Sequence, residues 1–424
     1  MFFDFEDLRL DLAKRLLLRR GQPVPILPKA FDILAHLVRH RDRVVAKDEL
    51  MQAVWPNTFV EEANLTQNVS VIRKTLGERA GEHRFIITIP GRGYRFAADV
   101  REIAPPEDNH QAQQRYLRGR HLLNKRLTST LSDAITAFLE STDQDPQFAP
   151  AWVGLADAYA LLSLYGASMP RDVFPKSKAA AETALRHDPA LAAAHNALGV
   201  VELFYEWNWP AAERAFSRAV ELDPVYGDAH QRHGLFLTVM GRFDEAARAM
   251  ARAEAADPLS RIIATIAAYP AYYSRDFDGA ARQLRRVIQI DPNFSMAHFR
   301  LGLAYAELGR FDESLAELEA AMRLSNDRDV IGAIGRVRAM MGIRPAAEQA
   351  MAELDARTKD TFVSPYTVAV IHAALGDRAR AIDMLERAFD ERSYWLIYLN
   401  VDPALDPLRD DPRFIALVRR VFPG

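Results

Sequence analysis

Residues 243–258 read FDEAARAMARAEAADP, and residues 277–292 read FDGAARQLRRVIQIDP. Both stretches begin with Phe-Asp and end with Asp-Pro, and Phe-Asp returns after the same interval at Phe311. Together with two earlier ones, these Asp-Pro pairs keep nearly the same spacing and begin at Asp188, Asp223, Asp257 and Asp291. The aspartate after each phenylalanine is predicted to cap the helix that starts there, and the proline is predicted to end that helix. A period of about 34 residues therefore predicts an array of helix pairs.

Small residues mark where the two helices of a pair would touch. Gly199, Gly234 and Gly302 recur on the partner helix and allow a close approach of two backbones. This pattern resembles the tetratricopeptide repeat, with about eight units predicted over residues 113–396. Residues 397–424 are predicted to cap the array, because a solenoid needs a closing segment with a polar outer face.

The composition narrows the class of protein. Of 424 residues, 49% are hydrophobic and 26% charged, the net charge is −3, and there is no cysteine. These values exclude disulfides, thiolate metal sites and a basic nucleic-acid coat. The first residues lack the basic and apolar parts of a signal peptide, and the longest apolar stretch, 150–170, contains Asp157. We therefore expect a cytoplasmic protein without membrane contact.

The first 100 residues follow a different pattern, and a polar, proline-bearing linker at 101–112 separates them from the array. Leucines at positions 8, 10 and 12 alternate with polar residues, as in a half-buried strand. Helical patterns follow around residues 30–38, 47–55 and 62–76, and a hairpin is predicted at residues 85–96. The third helix carries one apolar stripe, made of Leu65, Val69, Ile72 and Leu76. The predicted fold class is mainly α: an N-terminal α+β winged helix-turn-helix, then an α-α tetratricopeptide solenoid.

Several motifs in this region resemble the OmpR/PhoB type of bacterial transcription factor. They occur in the expected order, at residues 27–34, 47–51, 54–55, 60–70, 72–77 and 93–96. With the repeat array, the chain is similar to CadC/HilA-like one-component regulators. It departs from relatives in lacking a receiver domain, which implies regulation independent of a phosphorelay. The membrane segment of the CadC branch is also missing, and the wing, Pro90-Gly91-Arg92, has one arginine fewer than many relatives carry.

The third helix is predicted to read double-stranded DNA in the major groove, where each base pair shows a distinct hydrogen-bond pattern. Gln67 can pair with adenine, and Val71 can touch a thymine methyl group. The residues predicted to face bases are Asn64, Thr66, Gln67, Asn68, Ser70 and Val71. Arg73, Lys74 and Arg95 are natural phosphate contacts, and Arg92 can enter a minor groove. The resemblance implies further phosphate contacts from Trp55 and Thr88.

The resemblance also implies partners. The family commonly activates transcription and contacts RNA polymerase through the loop after the second helix, here residues 56–61. Two copies are expected on paired half-sites, so a homodimer on DNA is predicted. The repeat array is expected to bind a protein or small-molecule signal, with the stretched unit at residues 165–175 and the insertion carrying Trp207 and Trp209 as candidate sites.

Other interpretations stay open. The chain could be a protein-interaction scaffold whose winged helix no longer binds DNA, in which case it would bind any duplex weakly and without preference.

The pairs His36/His40 and His230/His233 have helical spacing but no third ligand in sequence, so no metal is predicted. Six aromatic residues could line a peptide groove or form inter-repeat core: Tyr269, Tyr272, Tyr273, Tyr394, Trp395 and Tyr398. The motif Gly91-x-Gly93 precedes a strand rather than a helix, which excludes a phosphate loop. No cofactor and no catalytic arrangement is predicted.

Overall fold

The computed structural model describes residues 2–12, 15–55, 62–79, 81–103, 107–125 and 128–423. Eight strands lie in these ranges: β1 (Phe2–Phe5), β2 (Leu8–Asp11), β3 (Leu16–Arg19), β4 (Gln22–Val24), β5 (Val45–Ala46), β6 (Ile86–Ile89), β7 (Gly93–Phe96) and β8 (Arg101–Ile103). They form a five-stranded antiparallel sheet in the order β4-β3-β2-β1-β8 and a three-stranded sheet in the order β5-β7-β6.

Three helices connect the two sheets: α1 (Pro28–Arg39), α2 (Lys47–Val54) and α3 (Glu62–Thr75). Leu65, Val69 and Ile72 of α3 are buried, as the apolar stripe predicts. The hairpin of β6 and β7 closes this core, and the rings of Phe85 and Phe96 pack against Phe5 of β1. The N-terminal region is therefore the predicted winged helix.

The structure of residues 101–112, which the sequence predicts to be a linker, differs from that prediction. Residues 101–103 form β8, which pairs with β1 so that Phe2 faces Ile103 and Asp4 faces Arg101. A helix begins shortly afterwards, at Glu107. The polar composition of residues 101–112 hides this structure, because a short strand at the edge of a sheet needs few apolar residues. The N-terminal sheet thus extends to Ile103.

The remaining chain is helical. Its α-helices are α4 (Glu107–Asn124), α5 (Thr128–Gln144), α6 (Ala149–Leu164), α7 (Pro170–His187), α8 (Ala192–Val201), α9 (Trp209–Leu222), α10 (Gly227–Val239), α11 (Phe243–Ala256), α12 (Arg261–Ile266), α13 (Tyr269–Tyr273), α14 (Phe277–Ile290), α15 (Ser295–Glu307), α16 (Phe311–Ser325), α17 (Arg328–Met340), α18 (Arg344–Arg357), α19 (Pro365–Ala374), α20 (Arg378–Asp390) and α21 (Pro412–Val421). A π-helical turn spans Glu202–Glu206, and 3-10 segments span Tyr394–Tyr398 and Pro403–Leu408. No helix within the described ranges has both the length and the apolar character needed to cross a membrane.

The junctions between repeats use the Asp-Pro pairs as predicted. Asp188, Asp223, Asp257 and Asp291 each follow the last residue of a helix. The carboxylate of Asp223 accepts a hydrogen bond from the amide of Val225 at 3.2 Å, which forms a tight turn. The next helix is tied back to this turn, because Nε2 of His230 lies 2.8 Å from the carbonyl oxygen of Pro224.

The prediction that the aspartate after each phenylalanine caps its helix is wrong. Helices α11, α14 and α16 begin at the phenylalanine itself, so Asp244, Asp278 and Asp312 lie inside the first turn. A negative charge there interacts favourably with the helix dipole. In α14 the capping oxygen belongs to Asp276, which accepts from the amide of Gly279 at 2.9 Å.

Glycines provide the close helix contacts that their spacing suggests. A Cβ atom at Gly199 would lie 2.6 Å from the ring of Phe216, and one at Gly302 would lie 2.6 Å from Leu318. These distances are too short for real side-chain contacts, so the two helices of each pair can approach this closely only with glycine there.

The array closes on itself through contacts between distant repeats. The indole of Trp209 stacks on Phe422 at 4.3 Å, and its Nε1 donates to the carbonyl oxygen of Val421 at 2.8 Å. Arg275, after α13, donates to the carbonyl oxygen of Val401 at 2.6 Å. Thr361 donates to the carbonyl oxygen of Gly166 at 2.6 Å. The C-terminal 3-10 segments and α21 therefore pack against residues from earlier repeats of the array.

Candidate nucleic-acid interface

Helix α3 divides into a buried and an exposed face. Its stripe of Leu65, Val69 and Ile72 packs on α1, and the opposite face leaves Thr66, Gln67, Ser70 and Lys74 exposed. Asn64, Asn68 and Val71 are half-buried at the edges of that face. All six residues predicted to face bases thus lie on one helix, three on its exposed face and three at the edges of that face.

Hydrogen bonds within α3 engage some of these side chains. The hydroxyl of Thr66 donates to the carbonyl oxygen of Glu62 at 3.2 Å, and the amide nitrogen of Asn68 donates to the carbonyl oxygen of Asn64 at 2.9 Å. Among the described residues, the side chains of Gln67 and Ser70 have no such partner. Gln67 and Ser70 therefore present the most available donors and acceptors of the predicted reading face.

The hairpin carries exposed positive charge next to α3. Arg92 lies in the turn between β6 and β7, and Arg95 points outward from β7. Within the described ranges, neither arginine, nor Lys74 on α3, forms an ion pair. Cations without acidic partners are available to bind DNA phosphates. Such contacts depend on charge and not on the base sequence.

Arg73 and Thr88, both predicted to contact phosphates, are bonded to each other. A guanidinium nitrogen of Arg73 donates to the hydroxyl of Thr88 at 2.8 Å and to the carbonyl oxygen of Ile86 at 2.9 Å. Nε of Arg73 lies 3.6 Å from the buried carboxylate of Glu78, which also accepts the amide of Phe85 at 3.1 Å. This network fixes the end of α3 to β6. It positions the wing against the helix, a role that sequence reasoning missed because the partners lie on another element.

Trp55, which is also predicted to contact a phosphate, is only 4% exposed. Its indole nitrogen is buried and has no partner among the described residues. The neighbouring loop at residues 56–61, predicted to touch RNA polymerase, lies outside the described residues.

The pair His36/His40 lies beside a carboxylate that is already engaged. His36 Nε2 lies 3.1 Å from Glu49, and this carboxylate together with His36 and His40 could supply three metal ligands. However, both oxygens of Glu49 accept hydrogen bonds from Arg43, at 2.8 and 2.6 Å. The Arg43 hydrogen bonds, with a further contribution from His36, lower the pKa of Glu49 to about 2. A metal ion would have to displace Arg43, so the cluster is better explained as a link between α1 and α2.

The aromatic residues of the array are core rather than an open groove. All six of them are buried. Tyr273 stacks on Tyr398 at 4.9 Å and Tyr366 stacks on Trp395 at 5.8 Å, so the 3-10 segment at Tyr394–Tyr398 covers this face. Trp207 and Trp209 are also buried, at 5% and 6% exposure, which leaves neither indole available as an open signal site.

These features define a winged-helix DNA-binding domain joined to a helical repeat array. Residues 21–96 match the family described as "Transcriptional regulatory protein, C terminal", and residues 202–261 and 267–329 match the tetratricopeptide repeat. The chain therefore carries the DNA-binding domain of a transcription regulator, of the OmpR/PhoB type, together with tetratricopeptide repeats, and both expectations from sequence are confirmed. Both matched families are binding modules rather than enzymes.

Relatives match over the N-terminal region. Transcriptional regulator HilA of Salmonella typhi is 36% identical over 104 residues, which are 24% of this chain and 18% of HilA. Transcriptional activator CadC of Escherichia coli is 31% identical over 83 residues, 19% of this chain and 16% of CadC. The solved DNA-binding domain of E. coli CadC is 25% identical and covers 24% of this chain and 96% of that chain, with a TM-score of 0.22. This chain thus matches only a minor part of the length of HilA and CadC.

Proposed function

We propose that this protein is a sequence-specific DNA-binding transcription regulator, an activator, whose repeat array receives a protein or small-molecule signal. The observation that carries the proposal is the exposed polar face of α3 beside the hairpin cations Arg92 and Arg95, which form no ion pair with any described residue. Residues 1–100 would read a promoter, residues 113–396 would form the signal-binding solenoid, and residues 397–424 would cap it.

Sequence reading is assigned to the exposed face of α3. Gln67 offers a donor and an acceptor, which matches the two groups that adenine shows in the major groove. Ser70 can bond to several bases, and Val71 at the edge of the face can touch a thymine methyl group. Asn64, Thr66 and Asn68 contribute from the neighbouring turns, and the side chains of Thr66 and Asn68 already donate one hydrogen bond each within the helix.

Affinity is assigned to the cations. Lys74 and Arg95 would bind phosphates, and Arg92 at the tip of the hairpin would enter the minor groove. Arg73, Thr88 and the buried indole of Trp55 could add phosphate contacts only if their present surroundings rearranged on binding. A single module of this size buries roughly 600–1,000 Å² on DNA. Two copies on paired half-sites are therefore proposed, and RNA polymerase is proposed as the partner of the loop at residues 56–61.

Gln67→Ala is expected to relax the preference at one base position by about 1–3 kcal/mol while leaving binding to unrelated duplexes nearly unchanged. The measurement compares affinities for the selected site and its single-base variants. Gln283→Ala, at an exposed glutamine of α14, is the matched control and should change neither value. Equal weakening on every duplex would show that Gln67 does not read a base.

Lys74→Ala is expected to weaken binding to all duplexes alike and to reduce the slope of log K against log salt by about 0.9. Lys74 is exposed without an ion pair in the described part of the chain, so its loss should not destabilise the fold. Lys359→Ala, at an exposed lysine in the array, serves as the control. An unchanged slope in Lys74→Ala would remove this residue from the interface.

A further inference from the structure

Two arginines occupy the same position in two repeats. Arg232 precedes Gly234 by two positions in α10, and Arg300 precedes Gly302 by two positions in α15. Their separation in the sequence is twice the repeat period, and the unit between them has Ile266 at this position. Equivalent positions of an array lie on one face, so both guanidinium groups are directed to the same side of the solenoid.

Neither guanidinium group has a carboxylate partner among the described residues. By contrast, Arg336 of α17 does have a carboxylate partner, Glu307, at 2.7 Å. The other nearby carboxylate, Asp402, accepts from the hydroxyl of Tyr366 at 2.6 Å and from the amide of Ala404 at 2.9 Å. These two acidic groups are therefore already engaged, and no carboxylate in the described part of the chain compensates the charges of Arg232 and Arg300.

Aromatic rings surround Arg300 instead. Its guanidinium carbon lies 4.3 Å from the ring centre of Tyr269, 5.2 Å from that of Phe299 and 5.5 Å from that of Trp395. Arg232 lies 6.0 Å from the ring centre of Phe204. The rings hold the cations by their negative faces and exclude water, which strengthens any interaction with an anion.

Two donors at this place have no acceptor. Nε of Arg300 and Nε1 of Trp395 are buried and lack a hydrogen-bond partner among the described residues, and Trp395 is only 9% exposed. Buried donors are normally satisfied, so one on the cation of Arg300 and a second on the neighbouring indole indicate a missing acceptor. Arg232 and Arg300 also act on the same two hydroxyls: burial raises the pKa of Tyr269 and Tyr398, and both arginines oppose this increase.

The space beside Arg300 limits what can bind. A cavity of about 10 Å³, lined by Arg300, Tyr269, Tyr272 and neighbouring apolar side chains, has room for one water molecule or a single oxygen atom. Both arginines keep part of their surface exposed. A ligand would therefore insert a compact charged group and leave its remaining atoms at the surface of the array.

We propose that Arg232, Arg300 and the indole N–H of Trp395 form a binding site for the oxyanion of a small ligand, a carboxylate or a phosphate. This names the ligand class and the site for the signal-binding role proposed above, and it rests on that proposal. The fork of Arg300 and the N–H of Trp395 would donate to the oxygens, and Arg232 would supply the second positive charge.

The test uses the full chain and compares inorganic phosphate, acetate and chloride at equal ionic strength, with thermal unfolding of the repeat region and calorimetric titration as readouts. We expect one of the two oxyanions to raise the unfolding temperature beyond chloride, because a ligand that binds only the folded state stabilises it. An effect of phosphate alone identifies a phosphate ligand, and an effect of acetate alone identifies a carboxylate. No effect of either beyond chloride would overturn the proposal.

Variants separate this site from the DNA-binding face, which also attracts anions. The double change Arg232→Gln and Arg300→Gln is expected to weaken oxyanion binding about tenfold or more, while Lys359→Ala, at an exposed lysine of the array, should leave it unchanged. Arg300→Lys keeps the charge but loses the fork, and should show a smaller loss, which keeps the test valid if the double variant folds poorly. Equal binding by wild type and Arg300→Lys would argue against the site. If the variants bind oxyanions normally while the full chain selects a DNA motif from random duplexes, only this inference fails. If the full chain selects no motif, the proposed function fails.

Discussion

Trp209→Ala is expected to lower the free energy of unfolding of the repeat region by about 3–5 kcal/mol, the range for removing a buried tryptophan. The ring is 6% exposed and stacks on Phe422 at 4.3 Å, so its loss leaves a cavity between the first half of the array and α21. The carbonyl oxygen of Val421 also loses the indole donor, which lies 2.8 Å away. Denaturant unfolding of the full chain, followed by the helical signal, measures the change.

The control for this substitution is Trp152→Ala. Trp152 also donates its indole N–H to a carbonyl oxygen, that of Pro146 at 2.9 Å, but it is half-buried and its partner lies in the adjacent turn. A smaller loss is therefore expected. If Trp152→Ala and Trp209→Ala destabilised the array equally, the contact between α9 and the C-terminal helix would contribute nothing particular to stability.

Gly93→Ala is expected to destabilise the winged helix by about 3 kcal/mol or more and to abolish DNA binding. Gly93 has a φ of 155°, and a Cβ atom there would lie 2.0 Å from the carbonyl oxygen of Val45. The added methyl group must push β7 away from β5, which separates the hairpin and its Arg92 and Arg95 from the helices. Thermal unfolding and duplex binding by the full chain measure both effects.

Gly91→Ala, two positions earlier and in the turn that precedes β7, is the matched control. Its φ of 69° is also left-handed, but nothing lies within 4 Å of the added Cβ atom. Only the conformational cost of about 1–2 kcal/mol is expected, with DNA binding retained. Similar losses in the two variants would mean that the contact between Gly93 and Val45 is not what fixes the wing.

Local sequence patterns were sufficient for much of this structure. The stripe of Leu65, Val69 and Ile72 predicts both α3 and its buried face, because helical periodicity records burial directly. The Asp-Pro pairs mark the ends of four helices, since proline cannot continue a helix and the preceding aspartate forms the turn. The exposed position of Gln67 and Lys74 follows from the same periodicity.

Contacts between distant residues could not be read in this way. The pairing of Phe2 with Ile103, the network that joins Arg73 to Thr88, and the stacking of Trp209 on Phe422 each depend on the arrangement of several elements. No local period signals such contacts. The network of Arg73 and Thr88 engages two of the predicted phosphate contacts, and other contacts between distant repeats bury the aromatic residues that sequence alone left as either groove or core.

The most direct test of the proposed function is selection of bound duplexes from a random pool by the full chain, at two salt concentrations. A regulator that reads bases through α3 is expected to recover one motif at both concentrations, as two spaced half-sites, and Gln67→Ala is expected to blur one position of that motif. Affinity should fall steeply with salt, because several phosphate contacts release counterions. Recovery of duplexes without a common motif, and binding that disappears at the higher salt, would contradict this account and favour a protein-interaction scaffold.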